Sequence, residues 1–193
     1  IIIYLFFFIA SILTFSVGNI FLNIIYKKKN NYKFLLSEEG IIGLIFISFI
    51  SLLLNFFFKI DQIVASILFI FPFILFIRIY KKKEIELLKK IFLHSLIISA
   101  VATIFISFDN VNRPDAGIYH LPYVRILNDF KIIIGSANFN PLFGATSIFQ
   151  YISAIFNNFL FKDLGVTIPH ALLFIYFIDY FLRNFFIKSD EDF

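Results

Sequence analysis

The segment Ile41–Lys90 reads IIGLIFISFISLLLNFFFKIDQIVASILFIFPFILFIRIYKKKEIELLKK. Two apolar runs, 41–58 and 62–80, are divided only by Lys59, Ile60 and Asp61, and a basic cluster closes the second. A helix needs about 20 predominantly apolar residues to cross a hydrocarbon core. Neither run alternates with the period of two that a barrel strand requires. The pattern predicts two membrane-crossing helices joined by a tight turn. Pro72 lacks a backbone donor and predicts a kink in the second.

The same reading extends in both directions. Residues 1–26 form a first span ending at YKKKNNYK, and residues 91–108 form a fourth. A secretory signal peptide carries its positive charges ahead of a shorter apolar core, whereas these lysines follow a long one. Residues 141–161 are a shorter apolar segment starting at Pro141, a residue suited to a first helical turn. A last span covers 165–187. The whole chain is 60% hydrophobic and 16% charged, against about 45–50% and about 25% in soluble domains. We therefore expect an all-α, polytopic transmembrane bundle in three parts. Residues 1–108 carry four helices, 109–140 form an external loop with short amphipathic surface helices, and 141–193 carry two further apolar helices. No cysteine is present, which excludes disulfides and thiolate metal sites. The absence of Met, with an opening inside an apolar run, leads us to expect the N-terminal part of a longer protein.

Basic residues set the expected orientation. Lys27, Lys28, Lys29 and Lys33 form one cluster; Arg78, Lys81, Lys82, Lys83, Lys89 and Lys90 form another. Two spans separate them, so both fall on one side, which the positive-inside rule makes cytoplasmic. The net charge of +4 thus belongs to membrane anchors and not to a nucleic-acid surface. The fourth span then delivers Asp109 to the opposite, external side, periplasmic in a bacterial inner membrane. Whether 141–161 crosses or lies flat stays open; if it lies flat, Arg183 and Lys188 end inside, as the charge rule prefers.

The loop DNVNRPDAGIYHLPYVRILNDFKIIIGSANFNPL, Asp109–Leu142, gathers the polar residues. Its apolar stretches IYHLPYVRIL and FKIII predict segments lying on the membrane, apolar side down. Asp115 is a candidate general base or metal-holding acid. Arg113, His120 and Arg125 are candidates for a phosphate, and Tyr119 and Tyr123 for a sugar face. A structural role competes at each position. Asn112, Pro114 and Asp115 stand where a helix start places its N-cap, first-turn proline and N3 acid, beside the positive end of the helix dipole. His120 and Arg125 also suit amphipathic anchoring. No second His stands at metal-ligand spacing, and the sequence assigns no cofactor. Asp179, central in the last span, needs a partner, and Arg183 one turn later predicts a structural pair in preference to a polar pathway. His94, near the start of the fourth span, needs only the interface.

A span, then a loop with an early acid, Tyr119 four residues after Asp115, an amphipathic stretch, Gly135 and NPL before the next helix resemble the first external loop of the GT-C superfamily of polytopic glycosyltransferases. The loop YHLPYVRILNDFKIIIGSANFN also resembles that of a group of bacterial multi-pass proteins. The resemblance covers 91–187. It implies a transferase that uses a polyprenyl-phosphate-linked sugar in envelope polysaccharide or glycolipid assembly. Asp115 would sit at the catalytic centre, Tyr119 would match the aromatic that follows, and basic residues would hold the donor phosphate. Ala116 departs from the pattern, in which a second acid often follows the first, and three spans precede the loop-bearing helix where many members have one. A transporter or flippase-like protein for lipid-linked saccharides, or an assembly subunit, is the alternative.

Overall fold

A computed structural model describes residues 1–26, 35–79, 85–107, 116–144, 147–158 and 160–191. These are almost wholly helical and contain no strand. Seven α-helices run in order: α1 Ile2–Tyr26, α2 Leu36–Asn55, α3 Gln62–Ile79, α4 Ile85–Ser107, α5 Leu121–Asp129, α6 Ile148–Phe156 and α7 Ile168–Glu191. α1, α2, α4 and α7 hold segments long and apolar enough to cross a membrane; α3 is apolar but shorter. The chain is an all-α helical bundle of the integral membrane class.

α1 is the central helix and touches α2, α3, α4 and α7. Its contact with α2 is a backbone contact. A Cβ on Gly18 would stand 1.7 Å from the Glu39 carbonyl oxygen, and one on Gly43 2.0 Å from that of Thr14. Small residues allow this approach, and packing holds helices together where lipid is as apolar as the side chains. α2 begins at Leu36, five residues before the expected Ile41. The Glu38 carboxylate accepts the Leu35 N–H at 2.8 Å, and Glu39 turns inward against α1, so the first turn includes two acids that hydropathy alone would exclude.

The α2–α3 connection is residues 56–61, six where three were expected, because α2 ends at Asn55, whose side chain donates to the Phe58 carbonyl. Asp61 caps α3 by accepting the N–H groups of Ile63 and Val64 at 3.0 and 3.1 Å. α3 continues through Pro72.

The expected apolar segment 141–161 is not one helix. A 3-10 turn spans Pro141–Gly144, and α6 has only nine residues. At 1.5 Å per residue α6 is about 14 Å long, less than half of a hydrocarbon core about 30 Å thick. Ser147 and Gln150 cap it reciprocally: the Ser147 Oγ accepts the Phe149 N–H at 3.1 Å, and the Gln150 Oε1 accepts the Ser147 N–H at 3.0 Å. Every residue from Gln150 to Phe156 is buried, among α2, α3, α5 and α7. Gly165 lies on the Phe156 carbonyl, with a Cβ there 1.9 Å from the oxygen. The chain thus turns back after α6, and α7 runs to the end of the bundle where α1 stops and α2 starts. There Phe177 and Tyr180 line one cavity with Tyr26 and Glu38.

α5 also differs from the expectation. Its apolar face, Tyr123, Val124 and Leu127, is buried on protein, chiefly α6, and not laid on the bilayer. The FKIII stretch is not a helix. It runs past the α2–α3 turn, where the Ile132 N–H bonds to the Asn55 carbonyl at 2.9 Å, and it closes at Gly135 with φ 84°, a left-handed turn that glycine allows.

Candidate functional site

Three asparagines assemble one end of the bundle. Asn55, fully buried at the end of α2, donates to the carbonyls of Phe58 and Phe130, both at 3.2 Å. Asn128 on α5 donates to the carbonyls of Ile60 and Ala154 at 2.6 and 2.8 Å, and accepts from Asn157 at 3.0 Å. The Ile60 N–H bonds to the Leu127 carbonyl at 2.9 Å. The α2–α3 turn, α5 and the end of α6 are therefore tied into one platform whose otherwise unpaired backbone groups are satisfied.

The sequence candidates distribute around this platform. Asp115 and Arg113 lie outside the described residues. Tyr119 and His120 belong to a π-helical turn, Ala116–His120, that leads into α5. Their ring centroids are 4.1 Å apart; His120 is exposed and Tyr119 half-buried. Arg125 is exposed and makes no hydrogen bond with either among the described residues. Tyr123 is buried against Phe143 with centroids 5.6 Å apart, which makes it a packing residue and not an open sugar platform.

Two groups not foreseen from sequence join this end. Tyr151 of α6 is buried near Tyr123; burial above all, then the neighbouring Tyr123, pushes its phenol well above the usual range, so it keeps its proton. His170, in the first turn of α7, packs on Phe149 with centroids 5.5 Å apart and lies within electrostatic range of His120. Its Nδ1 is 3.1 Å from the Val166 carbonyl. A carbonyl only accepts, so Nδ1 carries the proton and Nε2 keeps a free lone pair. His170 is invisible from the loop sequence because it enters only when α6 turns back. No group of three His, Asp or Glu side chains suited to a metal occurs among the described residues.

A second polar cluster lies between α4 and α7, towards the opposite end. Arg183 Nε donates to both Asp179 oxygens at 2.9 Å, the expected pair. The unexpected third member is His94, which is 94% buried in α4 and not at an interface. Arg183 Nη2 is 3.2 Å from His94 Nδ1. Arginine only donates, so Nδ1 accepts and the proton sits on Nε2, which faces Asp179 Oδ2 at 3.3 Å. The contact is long and its direction is poor for a hydrogen bond, so the cation–carboxylate pair is the stronger link.

Nearer the centre, the Thr14 and Tyr176 hydroxyls meet at 2.8 Å. Glu39 Oε1 accepts from Asn19 at 2.8 Å, while its Oε2, buried, has no partner among the described residues.

No curated protein and no solved structure is significantly similar to the chain. A family description matches residues 1–192, nearly the full length, so the chain belongs to the family described as a domain of unknown function, DUF8201.

Proposed function

We propose that the chain is part of an integral membrane glycosyltransferase-like protein of a bacterial inner membrane, with the platform on the external face. It moves a sugar from a polyprenyl-phosphate carrier to an acceptor in envelope polysaccharide or glycolipid assembly. The observation that supports this reading is where the loop leads. Asp115 directly precedes Ala116, the first residue of the turn that bears Tyr119 and His120. That turn is anchored through α5 to the platform, and His170 approaches it from α7.

In this reading Asp115 is the base on the acceptor hydroxyl. Arg113 and Arg125 meet the donor phosphate, and His120 joins them when protonated. His170 is added to the sequence candidates as a second imidazole near the same turn. The largest share of catalysis is electrostatic, through stabilisation of the leaving phosphate.

Replacing Asp115 by Asn in the complete protein tests the role. Glycan transfer should fall by about 100-fold or more, the scale of a lost general base, with membrane abundance unchanged. Normal transfer at normal abundance would remove Asp115 from the mechanism. The His94–Asp179–Arg183 cluster favours no transport pathway, since its charges satisfy one another.

A further inference from the structure

A groove flanks the platform on the side away from His120. One part, about 390 Å³, is lined by Lys59, Asp61, Gln62, Asn128, Asp129 and Asn157. A second part, about 510 Å³, shares Lys59, Asp61 and Asp129 and adds Phe57, Phe58, Phe130 and Lys131. Both volumes are within the range of small-ligand sites, about 300–1,000 Å³. Asp129 ends α5 and His120 precedes it, so the groove lies about 13 Å from the His120 turn at 1.5 Å per residue.

We infer that this groove binds an uncharged saccharide. Four observations carry the assignment. Its ionic groups balance, two lysines against two aspartates, so it offers no net field to a phosphate or a cation. Its polar groups are of the kind hydroxyls need: the Asp129 carboxylate accepts, and the Gln62 amide both donates and accepts. Neither side chain, nor that of Lys131, has a partner among the described residues, whereas Asp61 is committed to capping α3 and pairing with Lys59 at 3.5 Å. Phe57, Phe58 and Phe130 are 74%, 60% and 57% exposed at the rim and offer flat apolar faces to the C–H side of a sugar ring. The backbone beneath is fixed by the asparagine bonds, so binding orders little of the protein. As a saccharide subsite the groove deepens, and rests on, the transferase reading. The sugar is either free or the headgroup of a glycolipid.

Phe58→Trp places a fluorescent reporter at the rim, its emission read as the difference from the same protein with Phe58 intact, and Phe57→Trp serves if the first does not fold. The complete protein in phosphatidylcholine nanodiscs is titrated with maltose and with N-acetylglucosamine. A parallel series raises the fraction of monoglucosyl diacylglycerol in the disc, and glucose 1-phosphate is the charged comparison. A saturable emission shift is expected. A response to soluble sugar identifies a free saccharide, and a response only in the glycolipid series identifies a headgroup. Asp129→Ala in the reporter background should weaken binding about tenfold, on the scale of one lost charge-assisted hydrogen bond, while Asp115→Asn leaves it unchanged. No saturable shift in either series, an undiminished response in Asp129→Ala, or tighter binding of glucose 1-phosphate than of neutral sugars overturns the site. A flat titration alongside Asp115-dependent transfer rejects the groove alone. A saturable one alongside Asp115-independent transfer rejects that catalytic role and leaves a saccharide-binding groove.

Discussion

His94 holds Arg183 with one nitrogen and faces Asp179 with the other, so a neutral imidazole is suited to either order of charges. Asp179→Asn strips Arg183 of its anion where the carboxylate is partly buried. Because Arg183 is 45% exposed, the loss is expected to be below the about 3–5 kcal/mol of a fully buried pair. The exchange Asp179→Arg with Arg183→Asp should restore most of the stability, because His94 can shift its proton to Nδ1 and present Nε2 to the new arginine. Thermal unfolding of the single and exchanged variants in detergent checks this. An exchange no more stable than Asp179→Asn would show that the side chains' positions, and not their charges, matter. The pair itself was legible from the i, i+4 spacing. His94 was not, because no local pattern tells which residue of a distant helix faces Asp179.

At the level of elements, the α1–α2 crossing depends on two missing side chains. Gly43→Ala drives a methyl group into the Thr14 backbone, and a helix backbone cannot yield as a flexible side chain does. Overpacking of this kind costs about 1–3 kcal/mol or more. Gly117 is the internal comparison, since a Cβ there meets nothing within 4 Å among the described residues. Gly43→Ala should lower the unfolding midpoint by several degrees and Gly117→Ala should leave it nearly unchanged, both measured side by side. Equal midpoints would contradict the close contact. The sequence marks both positions as glycine, yet nothing local separates the crossing residue from the idle one. That distinction arises from how two helices meet.

For the molecule as a whole, α6 decides the direction of everything after it. Since α6 is too short to cross, the stretch before it and the 3-10 turn after it, Lys162–Val166, lie on one side, and Tyr26 lies on the other with the far half of α7. Residues 1–193 hold no cysteine, so each introduced cysteine is read as labelling above that of the parent protein. An impermeant maleimide applied to intact cells should label Ile134→Cys and Lys162→Cys alike, and Tyr26→Cys only after permeabilisation. Ile134 is 94% exposed and Lys162 is exposed, so access limits neither. Opposite labelling of Ile134→Cys and Lys162→Cys would mean that 141–161 crosses.

By itself the sequence determined the helical class and four segments long and apolar enough to cross, because run length and apolar continuity are local properties that a bilayer enforces residue by residue. It also placed Tyr119, His120 and Arg125 in one loop and paired Asp179 with Arg183. Only the tertiary structure decided that α5 buries its apolar face on protein, that α6 turns back, and that His170, Tyr151 and His94 reach their partners. Those outcomes depend on which surfaces meet across long separations. Apolar side chains gain as much against a neighbouring helix as against lipid, so hydropathy cannot distinguish the two.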